Sequence, residues 1–310
     1  MKTAPVFVAP SILLIGTDGQ IGWELRRTLA TLGDVVPCAR RELDLSQPEE
    51  IRRVIRRVKP KLIINAAAFT NVDAAEREPD LAMMVNGTAP GVIAEEARRL
   101  RAAVIHYSSD FIFDGKTFRP YREEDHPNPI NLYGDSKLAG EQALQESGVA
   151  HLILRTGWVY GCRGRNFLLT ILRLAAKREV LRVVDDQVGA PTWSRVLAEA
   201  TAQIIARGAG DFPGYLSENG GIYHLSCGGE VSWYAFARRI LELASPGTFE
   251  QVDLEPIKSS EFPSAASRPA YSVLDNSKLR RKFNICPPLW EVALSLALSA
   301  DAAECKFPVS

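Results

Sequence analysis

An apolar run that meets a glycine constrains this chain more than any other feature. Ile12-Leu13-Leu14-Ile15 leads into Gly16-Thr17-Asp18-Gly19-Gln20-Ile21-Gly22, and Trp23-Glu24-Leu25-Arg26-Arg27-Thr28-Leu29 continues with helical spacing. A buried strand, a glycine-rich turn and a helix in that order leave few folds open. Glycines in such a turn let the backbone approach a pyrophosphate, which the free N–H groups at the helix start receive. The spacing is G-x-x-G-x-x-G. The plainer reading is a turn that serves helix–strand packing. The flanking strand and helix favour a dinucleotide site that includes Gly16 and Gly19.

The alternation then repeats. Val35-Val36 is a short second strand that runs into Pro37-Cys38-Ala39-Arg40-Arg41. An acidic residue here binds an adenosine 2′-hydroxyl, whereas an arginine accommodates a 2′-phosphate. Arg40 and Arg41 precede any acid, so they are either solvated charges or a pointer to NADPH, with NADH still open. Asp44 is a candidate near the adenine. Ser46 or Gln47 opens a basic amphipathic helix over residues 49–58, whose charges read as a solvated face. Leu62-Ile63-Ile64 is a third strand, ending in Asn65-Ala66-Ala67-Ala68-Phe69-Thr70, where small residues let a cofactor lie across the strand end. A helix is expected through residues 83–100. Val104-Ile105-His106-Tyr107 and Ile153-Leu154-Arg155 supply strands four and five. Regular β–α alternation implies an α/β fold, a Rossmann-type doubly wound parallel sheet, with ligands at the carboxyl ends of its strands.

The fourth strand breaks at Ser108-Ser109-Asp110. After a proline-containing loop, Asn131-Leu132-Tyr133-Gly134-Asp135-Ser136-Lys137 starts a helix. Tyr133 and Lys137 are then one turn apart on one face. The pair alone is a common surface contact, so its context decides. An ammonium beside a phenol favours the phenolate, and this spacing predicts a tyrosine lowered from its ordinary value of about 10. Ser109 would offer a hydroxyl at the same spot.

Bulk properties exclude several classes. Lys plus Arg and Asp plus Glu both number 37, so nothing in the net charge suggests a nucleic acid or an anionic membrane. No apolar run is long enough to span a bilayer. Pro5 and Pro10 interrupt the N-terminal apolar stretch, so residues 1–10 read as a loose leader and not a signal peptide. Five scattered cysteines without a metal-like cluster fit a reduced, cytoplasmic setting. The four histidines, His106, His126, His151 and His224, are dispersed and read as structural.

The second half is less regular. Residues 1–158 are expected to bind the dinucleotide, and residues 159–310 to form a smaller α/β domain, mainly for substrate, with part of 186–226 returning to the first. Helices are expected at 166–177, near 195–206 and around Trp233.

Taken in order, seven stretches resemble the extended short-chain dehydrogenase/reductases, and within them the dTDP-4-dehydrorhamnose reductases. They are Gly16 through Glu24, Asn65 through Glu76, Tyr107 through Gly115, Tyr133 through Glu141, Arg155 through Tyr160, Asp186 through Thr192, and Ser267-Arg268-Pro269. The resemblance implies that Tyr133 donates a proton, that Lys137 binds the nicotinamide ribose and tunes Tyr133, and that Ser109 hydrogen-bonds the reacting oxygen. It places Gly19, Gln20 and Ile21 on the pyrophosphate and Asp44 and Leu45 by the adenine. Ala67, Ala68, Phe69, Thr70 and Tyr107 would line the cofactor, and Asp110 and Trp158 would face the substrate. The implied reaction takes a hydride from NADPH to C4 of a nucleotide sugar, dTDP-4-dehydro-L-rhamnose, with a homodimer as an open possibility. Two alternatives stay open: reduction of another dTDP-6-deoxy sugar, and a non-catalytic NADP-binding regulatory subunit, because fold alone does not give function.

The chain departs from the pattern in places. Ser109 stands where close members often carry threonine, and Phe111 replaces a common tyrosine. Some members hold magnesium between glutamates at a dimer interface. Glu24 matches one of these, but Arg195 stands where a second would be and the segment around Ala300 lacks the third. No metal is expected, and that mode of dimerisation loses its support.

Overall fold

Short β-branched and leucine-rich runs pair into one parallel sheet, and the helices between them cover both its faces. The computed structural model describes residues 10–244, 249 and 251–300. Strand β1 (Ser11–Ile15), helix α1 (Gln20–Thr28), β2 (Asp34–Cys38), α2 (Pro48–Val58) and β3 (Leu62–Asn65) alternate as the pattern predicts. Helices α3 (Val72–Ala75), α4 (Pro79–Met83) and α5 (Ala89–Leu100) lead into β4 (Ala103–Ser109), and α6 (Leu132–Glu146) leads into β5 (His151–Thr156).

Beyond β5 the pieces are shorter. Strand β6 (Val159–Tyr160) pairs with β9 (Thr192–Trp193), β7 (Val180–Val184) with β12 (Asp253–Ile257), and β8 (Val188–Gly189) with β11 (Val231–Ser232). Helices α7 (Phe167–Ala175), α8 (Ser194–Arg207), α9 (Phe212–Asn219) and α10 (Trp233–Ala244) lie among them. Strand β10 (Gly221–His224) pairs in parallel with β5. The six-stranded order is β10-β5-β4-β3-β1-β2.

Alternation along β1 explains the layers. Ile12 and Leu14 face Leu25 of α1 and Leu197 of α8, whereas Leu13 and Ile15 face Ile51 of α2 and Ile93 of α5. Each such side chain contributes roughly 1.5–3 kcal/mol on burial. A third core gathers Tyr160, Trp193, Phe236 and Trp290.

The helix expected over 83–100 is not continuous. A π-helical turn, Met84–Thr88, separates α4 from α5. Pro90 has no N–H to offer the Asn86 carbonyl, and the wider turn relieves the mismatch. Asn86 is thereby buried and bridges to the loop after β3. Its Oδ1 accepts from Phe69 N at 2.8 Å, and its Nδ2 donates to Phe69 O and Ser136 Oγ, each at 3.0 Å.

Among the described residues Cys38, Cys227 and Cys286 are free thiols. Among the described residues no helix is long and apolar enough to cross a membrane. Residues 1–9, nearly all of the stretch read as a leader, lie outside the described residues.

Candidate active site

The chain reverses direction across the sheet between β2 and β3, on either side of β1, and a crevice opens at the carboxyl ends of β1 and β3. Gly16 sits at φ +88°, and a Cβ there would lie 2.6 Å from Ala67 N. Only glycine satisfies both the left-handed backbone and that close approach. The nested turns leave a cleft of about 690 Å³.

Apart from Arg41, all the residues predicted for the site line this one cleft. Gly16, Gly19, Gln20 and Ile21 come from the turn after β1. Arg40, Asp44 and Leu45 follow β2, and Ala67, Ala68, Phe69 and Thr70 follow β3. Tyr107, Ser109 and Asp110 end β4, Tyr133 and Lys137 come from α6, and Trp158 follows β5. The two arginines left open by the sequence behave differently. Arg40 lines the cleft, whereas Arg41 does not and instead pairs with Glu42 at 2.5 Å.

The reaction corner is built on α6. Asn131 caps the helix by accepting from Gly134 N at 2.7 Å, which fixes Tyr133 in the first turn. A buried ion pair, Arg155 to Glu141 at 2.7 Å, ties the helix to β5. Lys137 is buried, and its Nζ donates to the Tyr107 carbonyl at 2.7 Å. Ser109 Oγ accepts from Phe111 N and donates to Asp110 Oδ1, each at 3.1 Å. The Phe111 ring meets Tyr133 edge-on at 5.8 Å. The Tyr107 hydroxyl is committed to Thr201 Oγ1 at 2.7 Å, so this residue borders the cleft without a free hydroxyl. Burial pushes the Asp110 carboxyl up to about 6, against hydrogen bonds from Ser272 and Ser109.

One expectation is overturned. Tyr133 is not lowered: burial pushes its phenol up to about 12, with Ser109 pulling down and the Asp110 charge pushing up. Lys137 does not offset this, because its Nζ is directed at Tyr107 O and His106. Burial also lowers Lys137 itself to about 8, with the Glu141 charge opposing. Helical spacing places the two side chains on one face, but burial and the Asp110 charge decide the direction of the shift.

Several lining residues escaped the sequence reading. Trp233, seen there only as a helix residue, stacks on Trp158 at 3.3 Å and 2°. Trp158 adopts φ 49°, and a Cβ on Gly189 would lie 2.3 Å from its indole. Arg165 also borders the cleft, with no motif to announce it. Asn65 and His106 sit behind Lys137; an amide and an imidazole on neighbouring strand ends were the available signal.

Arg195 Nε meets Glu24 Oε2 at 3.0 Å. Among the described residues no three His, Cys, Asp or Glu side chains gather for metal binding. Of the segment around Ala300, expected to lack a third glutamate, residues 301–310 lie outside the described residues.

A family profile, the RmlD substrate binding domain, matches residues 10–302. A Burkholderia thailandensis protein named dTDP-4-dehydrorhamnose reductase is 45% identical over 296 residues, covering 93% of this chain and 97% of its own. An Escherichia coli protein of the same name is 41% identical, with the same coverage. Among solved structures, a Bacillus anthracis dTDP-4-dehydrorhamnose reductase in complex with NADP superposes with a TM-score of 0.87 at 33% identity, covering 94% of this chain and all of that one. With a family profile spanning residues 10–302 and relatives at 41–45% identity over nearly their whole length, this chain belongs to the RmlD substrate-binding-domain family.

Proposed function

We propose that this chain is an NADPH-dependent reductase that converts dTDP-4-dehydro-L-rhamnose to dTDP-L-rhamnose. The observation that carries this reading is the meeting of Ser109, Tyr133 and Lys137 beside a glycine-and-alanine floor in one cleft. The names of the relatives, and the NADP bound by the Bacillus anthracis protein, support it.

When bound, NADPH supplies the hydride. Gly16, Gly19, Gln20 and Ile21 hold its pyrophosphate, and Arg40 its 2′-phosphate. Asp44 and Leu45 lie by the adenine, the residues from Ala67 to Thr70 and Tyr107 line the path, and Lys137 takes the nicotinamide ribose. As the ketone is reduced, negative charge builds on its oxygen, so a donor must stand within hydrogen-bond reach. Tyr133 hands its phenolic proton to that oxygen while the Ser109 hydroxyl hydrogen-bonds it. A phenol pushed up to about 12 is fully protonated at rest, which suits a donor. Lys137 stabilises the phenolate left behind. Asp110 and Trp158 face the sugar. In this reading residues 1–158 carry the cofactor and 159–310 mainly the substrate, with part of 186–226 rejoining the first.

A coupled assay tests the proposal. dTDP-glucose, an upstream dehydratase and epimerase, NADPH and the protein are combined, and the product is identified by NMR. NADPH consumption with dTDP-L-rhamnose as product is expected. A C4 epimer would assign another dTDP-6-deoxy sugar, and no consumption would favour the non-catalytic alternative.

A further inference from the structure

Behind Lys137 three polar groups stand in file. Ala67 N donates to Asn65 Oδ1 at 3.2 Å, Asn65 Nδ2 lies 3.1 Å from His106 Nδ1, and His106 Nε2 lies 3.4 Å from Lys137 Nζ. A backbone N–H can only donate, so it turns the Asn65 oxygen toward Ala67 and the Asn65 NH₂ toward the imidazole. His106 Nδ1 must then accept. A neutral imidazole carries its single proton on the other nitrogen, Nε2, and that N–H points at Lys137.

If Lys137 is an ammonium, two donors face each other. If it is a neutral amine, its lone pair accepts from His106 while its own N–H still serves the Tyr107 carbonyl at 2.7 Å. The file has one donor too many for as long as the lysine is charged. Asn65, His106 and Lys137 are each 1% exposed, so solvent does not relieve the conflict. Protonating His106 would only add a second charge; burial and the Lys137 charge both hold the imidazole well below its ordinary range.

We propose that Asn65 and His106 are positioning residues that make Lys137 hold its third proton loosely, ready to pass to the Tyr133 phenolate. In that step an ammonium N–H breaks, the phenol O–H forms, and the amine left behind is satisfied by His106 Nε2–H until a proton entering through the cleft that Lys137 lines recharges it. The other ionisable groups around Lys137 are Tyr133 one turn before it, Glu141 one turn after it, and Arg155 of β5, which takes the Glu141 carboxylate. Lys137 lowered to about 8 agrees in direction. The proton transfer rests on the reductase reading; the tautomer does not.

The test uses the full-length, cofactor-free protein, so it stands even if no keto sugar is reduced. NMR of ¹⁵N-histidine-labelled protein reads the His106 tautomer, and NMR of ¹³Cε-lysine-labelled protein reads the Lys137 titration, assigned with Lys137→Met. A neutral ring protonated at Nε2 is expected. Asn65→Asp should flip the ring to Nδ1–H, turn the Nε2 lone pair toward the ammonium, and raise the Lys137 midpoint by about one pH unit. Adding His106→Leu should remove much of that rise, leaving the part due to the new charge. A wild-type ring protonated at Nδ1 overturns the proposal even if the variants fail to fold. So does a Lys137 midpoint unmoved by Asn65→Asp, or a rise that the double variant keeps in full.

Discussion

The turn after β1 and the strand end at Ser109 border one cleft and present opposite surfaces to it. Around Gly16 and the alanines after β3, recognition is a matter of backbone: a left-handed glycine, a Cβ-free approach to Ala67, and open N–H groups at the start of α1. Around Ser109, Asp110, Tyr133 and Lys137 it is a matter of enclosed polar side chains, each shifted or tied by its neighbours. The first surface depends on shape and tolerates little added volume. The second depends on where protons sit. Substitutions in the glycine turn should therefore change cofactor affinity, and those in the polar corner should change turnover.

The largest effect short of removing the acid itself is expected from Lys137→Met. Turnover should fall by about 10²–10³, and NADPH affinity should also weaken, since the lysine serves both proton and ribose. Unchanged turnover at saturating NADPH would remove the lysine from the chemistry. Within the same corner Ser109→Ala should be milder than Ser109→Val, because water replaces a hydroxyl only where there is room. Gly16→Val sharpens the contrast from the other side. Its backbone strain of about 1–3 kcal/mol should weaken NADPH binding roughly 10- to 100-fold and leave the saturated rate close to that of the parent. An equal loss in the saturated rate would erase the distinction between the two surfaces.

Arg40→Ala should raise the NADPH Michaelis constant about tenfold and spare NADH, because it removes a charge-assisted contact to the 2′-phosphate. Arg41→Ala, in a residue already paired with Glu42, should do little; equal losses with both cofactors would sink the assignment of Arg40. The smallest effect is expected from EDTA. With Arg195 against Glu24, activity and oligomeric state should not change. A chelator-dependent loss of either would show that other carboxylates bind a cation.

Much of this architecture is legible from local spacing. Strand and helix periods give β1 to β5, the glycine turn marks the switch point, and a four-residue interval puts Tyr133 and Lys137 on one face. What escapes depends on contacts between distant segments. The π-helical turn makes sense only with Asn86 reaching Phe69, 17 residues away. Trp233 joins the cleft only by stacking on Trp158. The direction in which Tyr133 is shifted follows from its enclosure and from where Lys137 Nζ points, and neither is written in the interval between them. The choice between Arg40 and Arg41 likewise turns on which side chain Glu42 captures.

The central claim is that Tyr133 supplies the proton when the ketone is reduced. It is tested most directly by the turnover of Tyr133→Phe on dTDP-4-dehydro-L-rhamnose at saturating NADPH, with NADPH binding and thermal unfolding measured alongside. The account predicts a fall of about 10²–10⁴ in turnover while binding and fold survive. Near-parental turnover from a folded, NADPH-binding variant would contradict it.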